Sequence, residues 1–247
     1  MTQQSGADRP VALVTGASRG IGRAVARGLA ADGYTVALIA RTAAALETVA
    51  ADIAASGAAP PLAHAIDVGD EAAIADVIRA VHARTGRIDV LFNGAGIVRR
   101  GTAALSDADA RELIDTNLLG ALNVIRAVAP FMRRSGSGHI VNVASRSALL
   151  PKAGNGGYAA SKAALRAYGD ALYQELARDG VKVTTLCPSY VHTEQSARQT
   201  WLSDDDKIPA EDVYRTVRYL LSLSRAASVR ELTIECTHVV AHGEQYV

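Results

Sequence analysis

Seven short apolar runs, at residues 11–15, 35–40, 62–66, 89–93, 139–145, 182–187 and 231–236, alternate with longer amphipathic runs. The longer runs lie near 21–32, 43–56, 70–85, 108–134, 156–179 and 210–224. Several of the short runs are apolar at successive positions, as strands covered on both faces must be. A helix-length segment between such strands acts as a crossover, so neighbouring strands run parallel and the connections are right-handed. Asp32-Gly33, Ser56-Gly57, Thr85-Gly86 and Asp179-Gly180 each supply the glycine that closes a helix. The pattern predicts an α/β chain with a doubly wound, mostly parallel sheet carrying helices on both faces. Aromatic residues are 4% of the chain, so Ala, Val, Leu and Ile must fill the interior. Neither a repeat nor linker composition divides the 247 residues, so one domain is expected over 1–247, flexible at 1–9. The least regular stretch, 188–209, contains Ser-Asp-Asp-Asp at 203–206; it reads as a lid over a substrate, with the charge run itself solvated.

The first strand opens into Thr15-Gly16-Ala17-Ser18-Arg19-Gly20-Ile21-Gly22. Glycines at this spacing allow a tight turn and let the backbone approach a pyrophosphate, whose charge is favoured by the helix N-terminus. Placed directly after an apolar strand, the turn reads as a dinucleotide site. The second strand ends Ile39-Ala40-Arg41, without the carboxylate that would bind a ribose 2′-hydroxyl. Arg19 and Arg41 can instead clamp a 2′-phosphate, which points to NADP(H); the alternative is a pair of surface arginines. Asp67 and Val68 follow the third strand and are placed to meet the adenine. Asn93, Gly94, Ala95 and Gly96 follow the fourth, where small residues again admit a cofactor.

Tyr158 and Lys162 are four residues apart in a predicted helix, hence about 40° apart on one face. An ammonium beside a phenol favours the phenolate and draws the hydroxyl towards acid/base use. Ser145, at the end of the fifth strand, can share a substrate oxygen with Tyr158, and Ser147 is a less well placed substitute. Asn117 sits inside a predicted helix that its amide does not favour; it could hold a water linking Lys162 to solvent.

With these residues in place, the chain resembles the short-chain dehydrogenase/reductase family over nearly its whole length. The resemblance rests on the glycine turn at 15–22, Asn-x-Ala-Gly at 93–96, Asn117, and Ser145, Tyr158 and Lys162 in that order and spacing. It implies a seven-stranded Rossmann-type sheet and hydride transfer between NADP(H) and a carbonyl or alcohol. Tyr158 would be the acid/base group, Ser145 the orienter, Lys162 a ribose binder and Asn117 a relay. Pro188, the Val191 backbone and Thr193 would hold the nicotinamide. Gly94 stands where the family usually has a second Asn, a change that a smaller side chain should tolerate. Ser189 replaces the usual Gly and should restrict its loop. The tail after residue 236 lacks the Val-Asp-Gly-Gly ending of many β-ketoacyl reductases, which favours a specialised ketone reductase over routine fatty-acid reduction. The leading expectation is an NADPH-dependent ketone reductase; the alternatives are an alcohol dehydrogenase working oxidatively and a non-catalytic dinucleotide binder.

The charge balance, 26 basic against 25 acidic residues, gives no electrostatic case for nucleic acid or an anionic membrane as partner. No apolar run approaches the roughly 18 residues of a spanning helix, and the polar first ten residues do not read as a signal peptide; a cytoplasmic enzyme is expected. Cys187 and Cys236 read as small buried hydrophobes, and no metal site is expected, His238 and His242 included. Arg99, Arg100, Arg146 and Lys152 fall in segments around the site and could favour an anionic substrate, or simply face solvent. Alanines on the 156–179 helix allow close pairing of helices, and the resemblance implies a homotetramer or homodimer.

Overall fold

The computed structural model describes residues 9–198 and 201–241. Most of the segment expected to be flexible, at 1–8, lies outside them, as do residues 199 and 200 of the lid segment and His242. Seven strands form one parallel sheet in the order β3-β2-β1-β4-β5-β6-β7. They are β1 (Val11–Thr15), β2 (Thr35–Ala40), β3 (Leu62–Ala65), β4 (Val90–Asn93), β5 (Gly138–Val143), β6 (Val181–Pro188) and β7 (Glu231–Ile234). The chain winds outward from β1 to β3, then crosses back to place β4 on the other side of β1. Loops leaving β1 and β4 therefore diverge, which opens a crevice at the carboxyl ends of the strands.

Alternate side chains of the central strands enter two cores. Ala12, Val14, Leu38 and Phe92 pack with helices α1 (Gly20–Ala31), α2 (Ala43–Ala55) and α7 (Ala210–Ser222), through Val25, Leu29, Leu46, Ile53 and Val217. Leu13, Ile39, Leu91 and Ile140 meet α3 (Glu71–Thr85), α5 (Ala121–Ser135) and α6 (Gly156–Leu176), through Ile74, Ile78, Val124, Val128 and Leu176. Each fully buried Leu or Ile contributes roughly 1.5–3 kcal/mol. Covering both faces is what the fully apolar strand runs required. Gly33, Gly57, Gly86 and Gly180 all carry positive φ at the helix ends they close.

The expected single helix over 108–134 is three segments. α4 (Asp107–Ile114), capped by the Ser106 hydroxyl on Asp109 N, passes through a π-helical stretch (Asp115–Gly120) into α5. The widened turn carries Asn117 inward until it is fully buried. Gly120 is equally constrained there, because a Cβ would lie 2.5 Å from Val68 Cγ2. Two strand ends also differ from expectation. Ala144 N still bonds Leu186 O at 2.8 Å, but Ser145 then leaves the sheet and caps a 3-10 turn, Arg146–Ala148. After β7 the chain turns into a short helix, α8 (Thr237–Ala241), for which the Cys236 carbonyl accepts Val239 N.

The segment at 188–209 is pinned at its base. Ile208 N donates to Tyr190 O at 2.9 Å and His192 N donates to Ile208 O at 2.8 Å. The charge run is exposed at Ser203, Asp204 and Asp205, as expected, and its acids Asp204 and Asp206 pair with neighbouring basic groups. Lys207, 3% exposed, donates to Asp204 Oδ1 at 2.8 Å and Ser196 O at 3.2 Å, while Asp206 lies 3.2 Å from His238 Nδ1. A buried ammonium needs such partners, and Asp204 supplies the countercharge. Among the described residues no helix is long and apolar enough to cross a membrane, and no His/Cys/Asp/Glu group could hold a metal ion.

Candidate active site

Thr15 and Asn93 are register partners at the ends of β1 and β4, as are Asn93 and Asn142 on β4 and β5. All three are buried polar residues, so each must find partners inside the protein. Asn93 Nδ2 donates to Ala121 O at 3.0 Å and, more weakly, to Asn142 Oδ1 at 3.4 Å. Thr15 Oγ1 accepts Gly94 N at 3.0 Å and Ala95 N at 3.1 Å. This polar row fixes where the β1 and β4 loops leave the sheet. Thr15 was not singled out as a site residue in the sequence; a lone hydroxyl closing an apolar strand was the available signal.

Between those loops and the 188–209 segment lies a cavity of about 1020 Å³. One end is lined by Gly16, Ser18, Arg19, Gly20, Ile21, Gly22, Arg41, Asp67 and Val68, and the middle by Gly94, Ala95, Pro188, Val191 and Thr193. The other end holds Ser145, Tyr158 and Lys162. Asn93 and Asn117, both buried, sit behind the wall. The glycine turn is a cradle that side chains would fill. Gly16 has φ +68, and a Cβ there would lie 2.8 Å from Gly94 O; a Cβ on Gly22 would lie 2.2 Å from Gly16 O. Gly94 is similarly packed, against Phe92 and Thr15 O, which is why no larger residue stands there.

Arg41 Nη1 lies 3.9 Å from Asp67 Oδ2, so the two residues assigned to opposite parts of an adenosine also pair loosely with each other. Both are about half exposed and free to turn towards a ligand.

At the reacting end, Ser145 is held by its own turn, accepting Ser147 N at 3.1 Å. Ser147 Oγ accepts Asn155 Nδ2 at 3.2 Å and so supports the loop beside Ser145. Burial pushes the Tyr158 phenol above its ordinary range, and the neighbouring Ser145 hydroxyl opposes that only in part. This corrects the expectation of a lowered phenol: desolvation outweighs any help from an ammonium. Lys162, 4% exposed, donates from Nζ to Val143 O at 2.8 Å, and burial lowers its pKa to about 8. Gly96 passes close to it; a Cβ there would lie 3.2 Å from Lys162 Nζ and 3.1 Å from Asn117 Oδ1.

The Asn117 side chain is held largely by the protein itself. Its Oδ1 accepts Ile97 N at 2.8 Å, and its Nδ2 donates to Ile97 O and to Ser161 Oγ, both at 3.0 Å. It clamps the β4 loop to α6, with Ser161 as a partner that the sequence reading missed. The four cations expected around the site also separate. Arg99 pairs with Glu112 and Asp109. Arg146, 9% exposed, lines the cavity and meets Glu235 at 2.8 Å, which compensates its charge. Arg100 and Lys152 line the same cavity. Ser189 Oγ is buried without a hydrogen-bond partner beside the cavity, and its amide donates to Ile234 O at 2.8 Å. Thr193 Oγ1 accepts Ser196 N at 3.2 Å, so its hydroxyl already has a partner within its own segment. Cys187 and Cys236 are free, buried thiols, as expected; burial raises Cys187 to about 11.

Residues 10–201 match the family model described as short chain dehydrogenase. The chain belongs to the short chain dehydrogenase family. It is 35% identical over 227 residues to an uncharacterized oxidoreductase of Staphylococcus epidermidis, covering 91% of this chain and 96% of that one. Among solved structures it is similar to a β-ketoacyl-[ACP] reductase from Bacteroides thetaiotaomicron, at TM-score 0.85 and 32% identity, covering 95% of this chain and all of that one. It is also similar to an alcohol dehydrogenase from Thermococcus sibiricus in complex with 5-hydroxy-NADP, at TM-score 0.86 and 29% identity over 94% and 98% of the two chains. A short chain dehydrogenase is an oxidoreductase with a Rossmann-like parallel sheet, and both descriptions apply here.

Proposed function

We propose that this enzyme reduces a ketone to a secondary alcohol with NADPH. The observation that carries the reading is one cavity with a glycine cradle at one end and Ser145, Tyr158 and Lys162 at the other. The glycine cradle fits a pyrophosphate, and Arg19 and Arg41 supply the charge for a 2′-phosphate where a carboxylate would have repelled it. The structural relative bound to an NADP derivative supports the same choice. Bound NADPH would supply the hydride that the carbonyl carbon accepts.

The protein's own groups do the rest. Ser145 Oγ donates to the carbonyl oxygen and keeps the substrate beside Tyr158. Tyr158, an ordinary phenol near pKa 10 that burial raises further, is protonated at neutral pH and holds the proton that the developing alkoxide needs. As hydride reaches carbon, that proton moves from the Tyr158 oxygen to the substrate oxygen, and Lys162, cationic below about pH 8, offsets the resulting phenolate. Asn117 keeps the loop above Lys162 in register by clamping Ile97. The segment at 188–209 acts as the lid.

α6 exposes Ala160, Ala167 and Ala171 as a small-residue surface, which supports helix pairing in a homotetramer; sedimentation as a monomer at micromolar concentration would contradict that assembly. The reductase reading is tested with a panel of ketones and alcohols, following NADPH absorbance. Consumption of NADPH by at least one ketone, faster than formation from the matching alcohol at neutral pH, is expected. Tight NADPH binding with no turnover of any panel member would overturn it.

A further inference from the structure

Glu194, on the 188–209 segment, reaches across to the glycine turn. Its Oε2 accepts Gly20 N at 3.0 Å and its Oε1 pairs with Arg23 Nη2 at 2.8 Å. The neighbouring Thr193 presses on the same glycine, since a Cβ on Gly20 would lie 2.9 Å from Thr193 Cγ2. Gly20 carries φ +51 and opens α1, so its amide is one of the helix's unpaired N-terminal donors. A carboxylate therefore already sits on the anion-binding end of the cradle, in the cavity where a dinucleotide would lie. Burial opposes its ionisation, but its own backbone amide, Arg23 and the Gly20 amide hold the carboxyl below the usual carboxylate range. At neutral pH it is an anion.

Building on the dinucleotide reading, we infer that Glu194 competes with the cofactor's pyrophosphate for the N-terminus of α1 and so sets cofactor affinity. Two anions cannot share the Gly20 amide, and each opposes the other at short range. When the pyrophosphate enters, Glu194 gives up Gly20 and keeps Arg23 as its partner. When the cofactor leaves, the carboxylate returns to the Gly20 amide. Glu194 is thus a cofactor-affinity residue that takes no part in the chemistry.

The test is the dissociation constant of NADPH, read by its fluorescence on the intact protein without substrate. Glu194→Gln should bind NADPH about tenfold more tightly than wild type, the size of one charge removed a few ångströms from a half-exposed anion site. Glu194→Ala, checked for an unchanged melting temperature, should shift in the same direction. Adenosine 2′-monophosphate, which lacks the pyrophosphate, should bind wild type and variants alike. Unchanged or weaker NADPH binding in both variants would overturn the competition. So would an equal gain for adenosine 2′-monophosphate, which would mark a general charge effect. Failure of wild type and variants alike to bind NADPH would overturn the dinucleotide reading and this competition with it.

Discussion

Gly22→Ala isolates the close approach at the start of α1. The added methyl would stand 2.2 Å from Gly16 O and 2.7 Å from Gly16 C, against an ordinary contact of at least 3.4 Å. More than an ångström must therefore be found, and both obstructing atoms are backbone, so no side chain can swing away. Relief requires lifting the first turn of α1 off the loop that β1 feeds. That helix buries Val25, Ala26, Leu29 and Ala30 against the sheet. Overpacking of this kind costs roughly 1–3 kcal/mol, and a backbone clash belongs at the upper end. For a chain of this length about 3 kcal/mol corresponds to a melting temperature lower by roughly 6–12 °C. Because the same displacement opens the cradle, NADPH affinity should fall by about a hundredfold. Gly57→Ala is the control: a Cβ there meets nothing within 4 Å, and only its φ of +81 is strained, so it should cost about 1 kcal/mol and leave NADPH binding intact. Differential scanning fluorimetry and NADPH fluorescence titration read the two effects. A Gly22→Ala protein with wild-type melting temperature and wild-type affinity would refute the reasoning.

Four further outcomes are expected. Burial lowers Lys162 from an ordinary 10.5 to about 8, so its positive charge is lost as pH rises through 8. The ratio kcat/KM for NADPH should therefore fall about tenfold per pH unit above 8, and a profile flat to pH 10 would contradict the assignment. Between about pH 8 and 10.5 the folded chain binds fewer protons at Lys162 than the unfolded one, so this group makes stability rise with pH across that window. Arg41→Ala should weaken NADPH roughly tenfold while leaving NADH nearly unchanged, because an exposed charge-assisted contact contributes about 1.5 kcal/mol; equal losses for the two cofactors would count against Arg41. Asn117→Ala removes three buried hydrogen bonds and strands the Ile97 amide and carbonyl, which should cost about 3 kcal/mol of stability in chemical denaturation.

The fold was legible because its signals are local and repeated. Apolar runs, helix-length spacers and closing glycines each carry their own signal, whereas the strand order depends on where the winding reverses, which no local run marks. The site was legible where a residue type has few other uses, as with the glycine turn and the Tyr158–Lys162 spacing. It was illegible where the outcome depends on partners distant in sequence. The Asn117 contacts were invisible because nothing in its neighbourhood announces Ile97 or Ser161. The Arg146–Glu235 pair was invisible because the two residues lie eighty-nine positions apart. The π-helical stretch escaped notice because a run that is apolar on one side at helical spacing does not reveal a single widened turn. Nothing in the sequence marks Glu194, since its target, Gly20, is 174 residues upstream. Burial, too, is a property of the assembled fold, and it is burial that raises Tyr158 where the isolated pair suggested the reverse.

The central claim is that Tyr158 delivers the proton in a cavity that binds NADPH independently of that hydroxyl. Tyr158→Phe removes one oxygen and leaves the ring, so NADPH affinity and turnover of the best ketone should be measured together in that variant. The account predicts affinity within about threefold of wild type and turnover lower by roughly a thousandfold. A Tyr158→Phe enzyme that keeps a tenth or more of wild-type turnover would contradict it.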